Sequence, residues 1–333
     1  MEYGNWNNNQ YQGRYTGELQ NSDYEKATIK KVRKSFSRIG LIYITFLGVS
    51  YLSQLAVTLI LSQLAMTETI NLDIYMLLTM LSMYPLAVPL TGFLMKFVPS
   101  TGEIGREQWG IGKISAFFIF SMGVLYIGNL IGTVLMTAVG VLKEEPIAND
   151  VQEMILSMEP WLILVVAVII APIMEELVFR KFLLDRIAGF GHWTAMTVSG
   201  VIFGIAHGNF YQFFYAFGLG MIFAYMYLHT GKISYTISFH ILINFCGSIL
   251  PIGLLEILKK HVLLGSCLAI SNMMVMFGFV ICAVILLICC WKYLSFWPGV
   301  INLSAKKKSI AVWGNFGMIL FLLCGIGLFS FAL

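Results

Sequence analysis

Charge is scarce in this chain. Only 11% of its 333 residues are Asp, Glu, Lys or Arg, while 58% are hydrophobic; a soluble domain carries about a quarter charged residues. Alternation with a period of two is also lacking, because the apolar runs are continuous. That argues against a β-barrel and for membrane-spanning helices. There is no C-x-x-C pair: Cys246, Cys267, Cys282, Cys289, Cys290 and Cys324 all lie in apolar stretches. They read as free, buried thiols, with no disulfide framework or thiolate metal site. The N-terminal region has no early apolar core with a small-residue cleavage site, so it is not a signal peptide. No internal repeat relates the two halves, which weighs against an inverted-repeat transporter.

What remains is a series of long apolar segments separated by charged ends. A span needs about twenty mostly apolar residues, and candidates fall near 39–63, 74–98, 112–141, 160–184, 193–207, 211–229, 232–255, 267–291 and 309–332. The expected fold is an all-α, polytopic transmembrane helical bundle of about eight or nine spans around a polar intramembrane cavity. Residues 1–36, rich in Asn, Gln, Tyr and Gly and then basic, read as a disordered cytoplasmic tail; residues 37–333 form the transmembrane domain.

The net charge of +4 comes from basic clusters at segment ends, which are topology signals and not a nucleic-acid surface. Lys26, Lys30, Lys31, Arg33, Lys34 and Arg38 precede the first span and put the N-terminus in the cytoplasm. Glu68 and Asp73, and later Glu144, Glu145, Asp150, Glu153 and Glu159, mark outer loops; Lys96, Arg106, Lys113, Arg180, Lys181, Arg186, Lys232 and Lys306–Lys308 mark the inner side. Lys259 and Lys260 alone fall on the wrong side.

Three polar motifs are set into apolar segments: Glu175-Glu176-x-x-x-Arg180, Phe203-x-x-x-His207 and His240-x-x-x-Asn244. Ionisable groups at membrane depth need a partner or a job. At about 1.5 Å per residue, Glu175 and His207 both lie roughly 20 Å above the inner surface, with His240 at roughly 12 Å and Asn244 at roughly 18 Å. Agreement in depth points to one shared site. Glu176 and Arg180 share a helix face and suit an ion pair. Glu175, turned about 100° away, is free to face a cavity as a general base. Gly200, Gly204 and Gly208 form a stripe that lets a neighbouring helix approach closely, delivering His207 to that carboxylate. The Asn244 amide can donate to an oxyanion or hold a water, and His240 can do the same or bind a metal. His192, His229 and His261 read as interfacial or loop residues, and the aromatic run Phe210 to Tyr215 as a lipid-interface belt.

Together and in this order, the three motifs resemble the CPBP family (CAAX protease and bacteriocin-processing, or Abi) of intramembrane proteases, which includes the type II CAAX prenyl endopeptidases. The resemblance covers about residues 160–250, the expected catalytic core. It implies peptide-bond hydrolysis within the membrane, with Glu175 and His207 activating water and His240 and Asn244 holding the oxyanion. Glu176 and Arg180 would support the site and Phe203 would pack it. One departure is Lys181, where the family usually has a small residue. The family is often labelled metalloprotease; a zinc, if bound, would draw on Glu175, His207 and His240, but H-E-x-x-H is absent and a metal-free glutamate mechanism is preferred.

The implied partners are the lipid bilayer and a membrane-associated protein or peptide substrate, in a bacterial plasma membrane. The cavity is expected to open to the cytoplasm or sideways to lipid. Alternatives are a non-catalytic peptide-binding immunity or scaffold protein, and an ion-coupled transporter.

Overall fold

The computed structural model describes residues 8–65, 71–331 and 333, with side chains from Asp23 onward. Residues 1–7 of the expected tail, and Glu68 of the first expected outer loop, lie outside the described residues. Every regular element among the described residues is helical. In chain order these are α1 (Asn8–Ala65), α2 (Leu72–Met95), α3 (Ile111–Lys143), α4 (Asp150–Ser157), α5 (Pro160–Phe190), α6 (His192–Ala206), α7 (Phe210–Thr230), α8 (Ile233–Lys260), α9 (Val262–Tyr293), α10 (Ala305–Trp313) and α11 (Phe316–Phe331). The expected boundary at residue 36 falls inside α1, where Val32 and Phe36 are already buried.

Seven of these helices are long and apolar enough to cross a membrane, and an eighth crossing is made if α10 and α11, bent by 66° at their junction, count as one. The fifth expected span, α6, has 15 residues. At about 1.5 Å each that is roughly 22 Å, short of a hydrocarbon layer about 30 Å thick. Its end, carrying His207, is therefore inside the bundle.

Basic residues from distant segments meet on one face. Arg38 Nη1 donates to the Phe97 carbonyl at 3.0 Å, Lys232 Nζ to Gln108 Oε1 at 2.7 Å, and Lys308 Nζ to the Phe190 carbonyl at 3.2 Å. Glu107 clamps this face together, accepting from His229 Nδ1 at 2.7 Å and from Trp109 Nε1 and Lys113 Nζ at 3.0 Å each. Burial would raise its carboxyl, but the His229, Lys113 and Trp109 donors outweigh that and hold it down to about 2. His192 packs its ring 4.7 Å from that of His229, so both are structural at this face. The opposite face carries the acidic connection 144–159, where the Tyr211 hydroxyl donates to the Ile147 carbonyl at 2.8 Å.

The cysteines are free but not buried in protein. Cys267, Cys282 and Cys289 are exposed on α9, a helix that packs along one side only. In a bilayer an apolar thiol can face lipid, so burial by protein was not required of it.

The glycine stripe on α6 makes the close contact its spacing suggests. A Cβ on Gly200 would come within 2.8 Å of Phe217 O and Met221 Cγ on α7, and one on Gly204 within 3.1 Å of the Phe213 ring. Gly208 is different: it has φ +69° and serves the turn into α7. Gly200→Val should therefore cost about 1–3 kcal/mol of stability by overpacking and shift His207. Gly278→Ala, which meets nothing within 4 Å, should be near neutral. Unfolding in mixed micelles compares the two.

Candidate active site

The fourth span is not a regular α-helix. Pro172 has no amide proton to give, and wider π-helical turns run over Leu164–Ile170 and Leu177–Phe182 on either side of the two glutamates. A further π-helical turn, Phe245–Ile249, follows Asn244. Such turns rotate side chains away from a strict 3.6-residue period; the second follows Glu176 and contains Arg180, and the third follows Asn244.

Glu176 and Arg180 are wholly enclosed, with Arg180 Nε 3.2 Å from Glu176 Oε2. The contact is an ion pair by distance, but its angle is poor for a hydrogen bond. The guanidinium carbon instead lies 4.2 Å from the Phe203 ring centre and 5.3 Å from that of Phe223, so two aromatic faces complete its surroundings. The other Glu176 oxygen, Oε1, accepts from His240 Nδ1 at 2.9 Å. His240 Nε2 then lies 3.6 Å from Glu175 Oε2. One imidazole thus bridges both glutamates.

Glu175 differs from its neighbour as the sequence suggests. Its side chain is 23% exposed, and it lines a cavity of about 410 Å³. His207, Phe203, His240 and Asn244 line the same cavity, so all three motifs meet there. His207 Nδ1 is 2.8 Å from the Phe203 carbonyl. A carbonyl only accepts, so Nδ1 holds a proton, and in the neutral ring Nε2 keeps its lone pair. Phe203 itself packs edge-on to both His207 and His240, with centroids 4.8 and 5.7 Å away. Asn244 Nδ2 donates to the Ala167 carbonyl at 2.9 Å, which takes one of its two amide protons and leaves the other.

The cavity reaches the acidic connection. Its wall includes Val151, Met154, Ile155 and Met158, on and beside α4 in the acidic connection. On the basic side of the motifs, Arg180, Leu183, Leu184 and Ile187 are fully buried. Lys181 takes no part in the cavity; it pairs with Asp185 at 2.7 Å. The aromatic run after His207 mostly packs, Phe210 stacking on Phe329 at 4.6 Å, although Tyr215 lines the cavity.

Several supporting residues carry no motif signal. Tyr43, fully buried on α1, donates to the Val178 carbonyl at 2.9 Å and stacks on Phe179. Thr236, fully buried, sits one turn before His240 beside Glu176. Tyr84 and Gln212 add polar groups to the cavity wall. A polar residue one turn from a motif histidine was the available signal for Thr236; Tyr43 offered none. The zinc donor set does not fit: among the described residues no three His, Cys, Asp or Glu side chains converge as metal ligands.

The comparisons agree with the motifs. Residues 157–246 match the family model described as type II CAAX prenyl endopeptidase Rce1-like, so this part of the chain, set within a polytopic helical bundle, is similar to that family. The chain is 28% identical over 134 residues to the "Putative membrane peptidase YdiL" of Bacillus subtilis (strain 168), covering 39% of this chain and 52% of that protein. It is 38% identical over 103 residues to the "Membrane-embedded CAAX protease MroQ" of Staphylococcus aureus (strain USA300), covering 28% of this chain and 40% of that protein. The chain thus spans about half, or less, of the length of these relatives. No solved structure matches.

Arg180→Met should destabilise the protein by about 3–5 kcal/mol, because Glu176 is left charged and unpaired in the core. Adding Glu176→Gln should recover most of that loss, since the amide oxygen still accepts from His240. Equal unfolding midpoints for the single and double variants would contradict the ion-pair assignment.

Proposed function

We propose that the protein is an intramembrane endopeptidase that hydrolyses peptide bonds of membrane-associated proteins or peptides. The observation that carries this reading is the His240 imidazole, 2.9 Å from Glu176 and 3.6 Å from Glu175, beside a cavity that His207 also lines. Glu175 takes a proton from a water in the cavity as the water oxygen attacks the peptide carbonyl carbon. His207, its lone pair on Nε2, orients that water or accepts the proton in turn. The remaining Asn244 amide proton donates to the tetrahedral oxyanion, and so does His240 when Nε2 is protonated; such donors are often worth about 3 kcal/mol each of barrier. Protonated Glu175 then returns the proton to the leaving amine as the C–N bond breaks.

The catalytic core on this reading is about residues 160–250, and the remaining helices supply walls and lipid contact. Met80, Met83, Met154 and Met158 make the cavity wall adaptable and apolar, which suits side chains drawn from a bilayer. The basic face is taken as cytoplasmic, with the N-terminus there, in a bacterial plasma membrane; the acidic face and the cavity then look outward. No step is assigned to a metal, because the candidate ligands do not converge.

Glu175→Gln and His207→Ala should each lower cleavage of a membrane-peptide reporter by about 10²–10⁴-fold without changing the unfolding midpoint. Undiminished turnover by Glu175→Gln would sink the mechanism. A chelator arm should leave wild-type turnover unchanged, and loss of activity reversed by added zinc would replace the glutamate mechanism with a metal one.

A further inference from the structure

A second cavity, of about 530 Å³, lies at the basic face, away from the motif residues. Trp193 and Thr194 at the start of α6, Trp297 after α9, and Lys308, Ser309 and Trp313 around α10 form its wall. No lining residue is acidic, and Lys308 carries the one formal charge. Lys308 Nζ donates to the carbonyls of Phe190 and Pro298, each at 3.2 Å. An ammonium has three protons to give, so one remains for an occupant.

The sequence around Lys308 runs against helix electrostatics. Lys306, Lys307 and Lys308 fill the first turn of α10, where the helix dipole disfavours cations. Lys307 is paired with Glu25 at 2.6 Å. Lys306 and Lys308 have no carboxylate partner among the described residues. Three cations in that turn make sense if an anion lies close by. The indoles say where that anion comes from: Trp193 is 46% exposed and Trp297 38% exposed, at the ends of spans where tryptophans sit among lipid headgroups.

We propose that this cavity binds an anionic membrane phospholipid. Its phosphate lies against Lys308, with the Thr194 and Ser309 hydroxyls as further donors, and its acyl chains leave along the tryptophans into the bilayer. A zwitterionic lipid fits the apolar wall but brings a quaternary ammonium towards a lysine cluster. The site is therefore selective for net negative charge, with a surface lysine worth about 1 kcal/mol, or roughly fivefold in retention.

The test is native mass spectrometry of the full chain, delipidated in detergent and offered equal amounts of phosphatidylglycerol and phosphatidylcholine. Wild type should retain one phosphatidylglycerol with roughly fivefold preference. Lys308→Gln should retain both lipids alike. Ser309→Trp fills the cavity while keeping both carbonyl contacts of Lys308, so it should retain neither lipid at this site, and it carries the test if Lys308→Gln fails to fold. Equal retention of the two lipids by wild type would overturn the proposal, as would an unchanged preference in Ser309→Trp. Displacement of the bound lipid by millimolar inorganic phosphate would also overturn it, by marking a soluble-anion site.

Discussion

Arg180 and Glu176 are both fully enclosed by protein, and two opposite charges at that depth are tolerable only together. The rest of the site depends on this pair. Glu176 has one oxygen towards the guanidinium and the other on His240 Nδ1, so pairing the cation also fixes an imidazole. The aromatic faces of Phe203 and Phe223 cover the guanidinium where no acceptor does. A lysine would not serve as well, since its compact ammonium is more strongly hydrated and cannot lie flat between two rings.

From that fixed layer the chemistry is built outward. His240 is held on one side by Glu176 and turned on the other towards Glu175. Phe203 contributes three times over: its ring supports Arg180, its edge contacts position both histidines, and its carbonyl decides which nitrogen of His207 bears a proton. The short α6 and its close glycine contact with α7 bring that carbonyl and His207 to the cavity. The amphipathic α4, in the acidic connection, then supplies part of the cavity wall.

Much of this was legible in the residues. Scarce charge and continuous apolar runs specify a helical bundle, and the Glu176–Arg180 spacing specifies a pair. The separation of Glu175 from Glu176 by one helical step goes with one partly exposed carboxylate, facing the cavity, and one buried carboxylate. Other features were hidden for physical reasons. Helical periodicity assumes a regular helix, so it could not reveal the π-helical turns around the motifs, although Pro172 was a hint. The cavity's direction depends on where α4 folds back, and a polar eight-residue helix in an acidic connection looks like any outer loop. Tyr43 reaches the site from 135 positions away, by a contact no local pattern encodes. The span count was blurred by α6, whose apolar composition resembles a span while its length does not suffice.

The most direct measurement is the protonation pattern of the two histidines, by nitrogen-15 NMR of histidine-labelled protein in bilayers, with His207→Gln and His240→Gln used for assignment. The geometry predicts a protonated Nδ1 on both rings and an unprotonated, imine-like Nε2 on His207, because the Phe203 carbonyl and the Glu176 carboxylate can only accept. An unprotonated Nδ1 on His207 would mean that the Phe203 carbonyl does not hold the ring. The Nε2 lone pair would then be unavailable to a water in the cavity, and the account of the site would fail at its first step.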